Sequence, residues 1–317
     1  MKVPVTTTAM GTPPGRSVGA AAFEAMSTTR TAATWRDYLA LTKPRIISLL
    51  LITTLTAMVV AAGGWPGWGL FLAVAVGGYL AAGAANTINM LMDRDIDARM
   101  ERTSNRPLVT HAIGVREAIL FAVAQAGTAF VLLWAVANLL TAVLSMVGLV
   151  YYVGVYTAWL KRRSTQNIVI GGAAGAVPPL VGWAAVDGSL SLTAWILFAL
   201  IFVWTPVHFW ALALMIKDDY ARVGVPMLPV VRGDDATIRQ IALYTAVTAL
   251  VSFAPVFSGY ASPLYFGAAA LANAGLIGRV VELARRRDRG SARGVFKFSL
   301  SYLALVFLAL AIDRAMS

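Results

Sequence analysis

Nine apolar segments dominate the chain, at roughly 46–64, 68–92, 118–137, 139–160, 168–186, 193–216, 238–257, 262–282 and 295–312. Each is long enough, or nearly so, to cross a hydrocarbon core about 30 Å thick. A membrane interior offers the backbone no water, so runs of this length read as helices. The predicted fold is all-α, a polytopic bundle of nine transmembrane helices. The first 35 residues are rich in Thr, Ala, Ser, Gly and Pro and contain no apolar run of signal-peptide length. They read as a disordered cytoplasmic tail, and residues 36–317 as the membrane domain.

Polar positions then sort the two ends of these helices. The connections after spans one, three, five and seven contain GGWPG, AN, VDGSLS and SGYAS and hold no Lys or Arg. The opposite connections, the span ends beside them and the N-terminal tail hold all 26 basic residues except Arg314. The positive-inside rule puts the N-terminus and the even-numbered connections in the cytoplasm. A formal net charge of +11 could suit nucleic acid. Its distribution reads as topology instead, and no nucleic-acid partner is expected. Arg285, Arg286, Arg287 and Arg289 form an inside-positive anchor that can also meet membrane lipid.

Composition narrows the chemistry. Of the 317 residues 59% are hydrophobic and 13% charged, far from the quarter typical of soluble domains. There is no Cys, which excludes disulfides, thiolate metal sites and Cys nucleophiles. Only His111 and His208 are present, so a multi-histidine metal centre is not expected.

The acids carry little topological information and ask for another explanation. Asp93, Asp95, Asp97 and Glu101 follow the second span; Asp218 and Asp219 follow the sixth. These mouths lie four spans apart, which suggests a four-plus-four repeat with a ninth helix added. Asn89, Asp93 and Asp97 are spaced by four. On a continuing helix they share one face, each step rising about 6 Å, while Asp95 points elsewhere. Three oxygen-bearing side chains on one stripe suit Mg²⁺, which often bridges carboxylates to a substrate phosphate. Asp218 and Asp219 would face them as further ligands. Arg102, Arg106, Lys161, Arg162 and Arg222 lie on the same side; Arg grips phosphate bidentately and Lys acts as a point charge. The pattern is that of a Mg²⁺–diphosphate site.

Asn89-x-x-x-Asp93-x-x-x-Asp97 resembles the first aspartate-rich motif of the intramembrane UbiA-type prenyltransferases. NMLMDRDIDARMERTSNRPL, YTAWLKRRSTQNIVIGGAAGAVPPLVGW, WTPVHFWALAL and KDDYARVGVPMLPVVRG resemble the blocks of its haem-modifying branch, the protohaem IX farnesyltransferases. The likeness extends over about residues 36–312. It implies transfer of a farnesyl group from farnesyl diphosphate to a vinyl group of haem b, giving haem O and diphosphate. It also implies a haem A synthase as a candidate partner. Carried over, Asn89, Asp93 and Asp97 would hold Mg²⁺ from one mouth, and Asp218 and Asp219 from the other. One departure stands out: the quinone branch has a second D-x-x-x-D, whereas Asp218 and Asp219 are followed by Arg222 and Val223. Arg222 is therefore a candidate for direct diphosphate contact.

Breaking an allylic C–O bond needs cationic groups at the leaving diphosphate and an apolar, aromatic chamber for the carbocation. Tyr151, Tyr152, Tyr156, Trp204, Phe209 and Trp210 could line one, although lipid contact is the plainer use of any single aromatic. His208 precedes Asp219 by 11 positions, nearly one helix face and about 16 Å deeper. It is either a haem contact, axial or to a propionate, or a packing histidine. Asn167 either caps the fifth span or faces the diphosphate. Pro178 and Pro179 interrupt that span's hydrogen-bond ladder, and His111 reads as a solvated loop residue. A phosphatidyltransferase is excluded, because no D-G-x-x-A-R occurs. A transporter would line a midplane path with its charges, whereas these gather at one mouth. A UbiA-type enzyme acting on a quinone precursor is the competing reading.

Overall fold

The computed structural model describes residues 33–317, all of whose regular structure is helical. Residues 1–32, most of the expected tail, lie outside the described residues. An eight-residue helix, α1 (Trp35–Thr42), comes first. Thr34 and Asp37 close its N-terminus reciprocally, with the Thr34 amide donating to the Asp37 carboxylate at 2.8 Å.

Nine spans follow. They are α2 (Pro44–Ala62), α3 (Trp68–Met92), α5 (Val115–Val136), α6 (Leu139–Val150) with its π-helical continuation (Tyr151–Leu160), and α7 (Asn167–Asp187). Then come α8 (Leu192–Met215), α10 (Leu228–Ser252) with the one-turn α11 (Ala254–Phe257), α12 (Pro263–Arg286) and α13 (Arg289–Met316). Two further short helices, α4 (Arg94–Asp97) and α9 (Lys217–Arg222), sit on the connections after α3 and α8. The expected spans are all present. The main boundary shifts are at α10 and α13, which begin earlier, inside charged sequence.

Burial separates centre from rim. Residues of α7 and α8 are 72% and 61% buried over their most apolar windows, against 17–39% for α2, α3, α5, α6 and α12. Val123, Val131, Leu250 and Leu271 are among the apolar side chains left on the outer surface, as lipid contact requires. Helix α7 holds its central place through small residues. A Cβ on Gly182 would stand 2.0 Å from the Thr54 carbonyl oxygen of α2, so only glycine permits that approach. Pro178 and Pro179 lie within α7, which continues through them to Asp187.

The end without basic connections is stitched by polar caps. Asn138 accepts from the Thr141 amide at 2.9 Å and donates to the Ala184 carbonyl at 2.7 Å. Asp313 of α13 accepts from the Ser262 amide at 2.9 Å and so caps α12. At the other end, Arg162 reaches Asp95 and the Met92 carbonyl, Arg289 pairs with Asp218, and Arg287 with Asp235 at 3.1 Å. The arginine cluster expected to meet lipid is thus largely engaged within the protein, since Arg286 also pairs with Glu282.

Candidate active site

Helix α3 ends where its chemistry begins. Asp93 leaves helical geometry (φ −92°, ψ 5°), yet its amide bonds to the Asn89 carbonyl at 3.0 Å and the Asp97 amide to the Asp93 carbonyl at 2.8 Å. The i to i−4 pattern therefore crosses the break. Asn89, Asp93 and Asp97 stay on one buried stripe at 4%, 1% and 3% exposure. The Asp95 side chain is 55% exposed and is gripped by both terminal nitrogens of Arg162, at 2.8 and 2.6 Å. That guanidinium holds the Asp95 carboxyl below its usual range.

Buried carboxylates persist only where cations or donors meet them. Asp93 Oδ2 accepts from Lys161 Nζ and from Asn89 Nδ2, the latter at 2.8 Å. Asp93 Oδ1 is buried without a hydrogen bond; Arg162 Nη2 lies 3.9 Å from it, which is ion-pair range only. Asp97 Oδ2 is paired with Arg106, and the Asp97 carbonyl accepts from Thr103 at 3.0 Å. Asn89 donates its second N–H to Thr157 Oγ1 at 3.1 Å and accepts from Lys43 Nζ at 2.8 Å.

Lys43, which the sequence did not single out, joins this cluster through Asn89. It stands at the turn between α1 and α2 in left-handed geometry (φ 57°, ψ 62°), directly before Pro44. For a side chain with a Cβ this conformation costs about 1 kcal/mol. The turn is braced by Asn86 Nδ2, which donates to the Thr42 carbonyl at 2.9 Å. Burial, then the charges of Arg106 and Lys161, bring the Lys43 ammonium down to about 7, against the opposing pull of Asp97 and Asp93. The one available signal was a lone Lys-Pro at the foot of the first span.

The π-helix supplies the opposite wall. The Lys161 amide bonds to the Tyr156 carbonyl, and Thr157 Oγ1 donates to the Tyr152 carbonyl at 3.0 Å, both five residues apart. This register brings Thr157 to Asn89 and Lys161 to Asp93. Tyr152 and Tyr156 stack with centroids 5.4 Å apart. Gly171 of α7 makes room for Tyr156: a Cβ there would lie 2.4 Å from Tyr156 Cδ2. Asn167 begins α7 rather than capping it. Its Nδ2 donates to the Lys161 carbonyl at 3.4 Å, and its buried Oδ1 has no partner.

The second acidic mouth is arranged otherwise. Helix α8 ends at Met215, Ile216 departs from helical angles, and α9 carries Asp218 and Asp219. Asp218, 63% exposed, pairs with Arg289; Asp219 pairs with Arg222 at 3.2 Å. The expectation that Asp218 faces the first mouth is corrected: its carboxylate is turned toward α13. Asp219 is the better oriented of the two. Tyr220 beside it is half-buried, and desolvation raises its phenol pKa; Asp93 and Asp219 add to the rise, while Arg102 and Arg106 oppose it. Both mouths thus act on one phenol. Arg102 is exposed and forms no ion pair among the described residues. Arg222 remains half-exposed on Asp219. Among the described residues no three carboxylates or imidazoles converge as a closed metal cage.

His208 lies deeper along α8 than the acids of α9. His208 is stacked between Trp204 (4.8 Å) and Phe296 (4.6 Å), with Nδ1 2.9 Å from Ser299 Oγ. Ser299 gives its own proton to the Phe296 carbonyl at 2.8 Å, so His208 Nδ1–H is the donor. These are the contacts of a packing histidine. Trp204 donates to the Ser299 carbonyl, and Trp210 is buried against Tyr244, so both are core residues. Phe209 is 39% exposed.

Fold and site together describe an all-helical, multi-pass membrane protein with a buried, cation-ringed acid stripe at one helix mouth. Residues 50–308 match the model of the UbiA prenyltransferase family. The chain is 63% identical over 283 residues to a protein named protoheme IX farnesyltransferase from Thermus thermophilus, covering 89% of this chain. It spans about half, 46%, of that relative's length. The protein of the same name from Deinococcus radiodurans is 53% identical, with 89% of this chain and 94% of the relative covered. Among solved structures, one concerning digeranylgeranylglyceryl phosphate synthase superimposes with a TM-score of 0.74 at 18% identity, covering 89% and 99% of the two chains. A UbiA homologue from Archaeoglobus fulgidus, bound to GPP and Mg²⁺, gives 0.61 at 18% identity, covering 86% and 99%. This chain belongs to the UbiA prenyltransferase family.

Proposed function

We propose that this protein transfers the farnesyl group of farnesyl diphosphate to a vinyl group of haem b, forming haem O and diphosphate. The carrying observation is the buried stripe of Asn89, Asp93 and Asp97, ringed by Lys43, Lys161 and Arg106 and set beside the Tyr152–Tyr156 stack. The haem substrate is supported by the name its relatives carry.

A divalent cation fits the residues present. Asp93 Oδ1 is a buried carboxylate oxygen without a donor, and the stripe offers only oxygen ligands, the set Mg²⁺ prefers. Asn89, Asp93 and Asp97 would hold it, with Asp219 the closer candidate from the second mouth. When bound, Mg²⁺ supplies Lewis-acid charge to the leaving diphosphate.

The chain's own residues do the rest. Lys43, Lys161, Arg106 and Arg102 bind diphosphate oxygens, as ammonium and guanidinium groups do. Arg162 and Arg222, already engaged with Asp95 and Asp219, hold the rim. Tyr152 and Tyr156 present π faces to the farnesyl carbocation as its C–O bond breaks. Lipid-facing helices keep water from the cation until the vinyl π electrons form the new C–C bond. Water then adds to the resulting cation beside the porphyrin and loses a proton, leaving the hydroxyethylfarnesyl group. The N-terminus and this mouth face the cytoplasm in this reading, and a haem A synthase is the candidate partner that consumes the product.

The test uses purified protein in lipid nanodiscs with haem b, farnesyl diphosphate and Mg²⁺. Mass spectrometry is expected to find haem O. Prenylation of an aromatic acid with haem left unchanged would replace this reading by the quinone one.

A further inference from the structure

Each residue of the acid stripe already holds one of the protein's own basic side chains. Asn89 has a single oxygen, and Lys43 Nζ occupies it at 2.8 Å; both amide hydrogens go elsewhere, to Asp93 and Thr157. Asp93 Oδ2 holds Lys161 Nζ, and Asp97 Oδ2 holds Arg106. Two carboxylates and one neutral amide therefore meet three basic side chains, and Lys43 rests on the neutral one. A purely structural pairing of Asp93 and Asp97 would need only Lys161 and Arg106. Asp93 Oδ1 is left buried without a hydrogen bond.

A divalent cation that takes Asn89 Oδ1 and the Asp93 carboxylate competes with Lys43 and Lys161 for the same atoms. Their flexible four-carbon stems let the ammoniums move a few ångströms while the chain stays fixed. The turn carrying Lys43 is held by Pro44 and by the Asn86–Thr42 bond; the carbonyl of Lys161 is held by Asn167. Each lysine thus has a fixed root and a mobile tip. We propose that Lys43 and Lys161 are exchangeable counter-ions, bound to the stripe until a divalent cation displaces them onto the substrate's diphosphate oxygens. Metal and diphosphate then bind mutually. The metal frees the ammoniums that the diphosphate needs, and the diphosphate receives the charge that the metal expels. Linkage makes this coupling equal in both directions. The inference deepens the proposed function, resting on the reading of this mouth as a diphosphate site, and assigns Lys43 to it.

The experiment titrates the full chain in nanodiscs with Mn²⁺, a paramagnetic oxygen-seeking ion, and with inorganic diphosphate, each alone and together. No haem or turnover is involved. In the wild type, each ligand is expected to bind weakly alone and about tenfold or more tighter with the other present. Lys161→Met removes the competitor and the phosphate contact at once. Mn²⁺ alone should tighten about tenfold, metal-free diphosphate should weaken about tenfold, and the coupling should shrink. Lys43→Met should act in the same two directions with a smaller gain, because Asn89 is neutral. Lys43→Arg should retain the coupling. The inference is overturned if both methionine variants, with unchanged melting temperature, bind Mn²⁺ no better than wild type. It is equally overturned if they lose melting temperature and both affinities together, the behaviour of a structural ion pair. A wild type that binds neither probe would instead remove the diphosphate reading itself.

Discussion

The two acidic mouths look alike in sequence and differ in the fold. After α3, Asp93 and Asp97 are buried and each meets a cation at the bundle interior. After α8, Asp218 is solvent-exposed and turned to Arg289, and Asp219 leans on Arg222. Burial decides the difference. Charges at low dielectric interact strongly and cost much to desolvate, so a buried cluster of acids and bases is poised for a charged ligand. Exposed pairs such as Asp218–Arg289 contribute only about 0.2–1 kcal/mol. The lesson is an asymmetric arrangement: in the proposed function the first mouth carries the chemistry, and the second contributes through Asp219 and Tyr220.

That asymmetry can be broken in order of expected effect. Asp93→Asn or Asp97→Asn should lower turnover by about 10²–10³-fold, the scale of losing a group that stabilises developing charge. Lys161→Met should lower kcat/KM for farnesyl diphosphate by about 10-fold to 10²-fold in steady-state assays. Gly171→Ala forces the Tyr156 ring to shift, since its Cβ would lie 2.4 Å from that ring. Turnover should fall about tenfold, with a melting shift matching an overpacking cost of about 1–3 kcal/mol. Asp219→Asn should cost about fivefold in turnover, the equivalent of ~1 kcal/mol. Asp218→Asn and Asp95→Asn should each stay within about twofold, as exposed ion pairs predict. A loss at Asp218 equal to that at Asp93 would restore the symmetric picture.

Much of this was readable in the chain. Span positions follow from hydropathy, because lipid leaves the backbone no alternative to the helix. The division of Asn89, Asp93 and Asp97 from Asp95 follows from spacing, and it survives because hydrogen bonds cross the break at Asp93. The remainder depends on tertiary geometry. Lys43 lies 46 positions before Asn89, and only the left-handed turn brings it there. The π register after Val150 has no counterpart in hydrophobic periodicity, so Thr157 was missed. Asp218 differs from its expected orientation because Arg289, far along the chain on α13, draws its carboxylate away. Of the two readings of His208, haem contact or packing, the tertiary contacts to Trp204, Phe296 and Ser299 are those of packing, and none of them is visible in the sequence.

One measurement bears most directly on the account: haem O formed by Asp93→Asn and by Asp218→Asn, assayed side by side with saturating haem b, farnesyl diphosphate and Mg²⁺. The account predicts haem O formation about 10²-fold or more below wild type for Asp93→Asn and near wild-type formation for Asp218→Asn. Comparable rates from the two variants would contradict it.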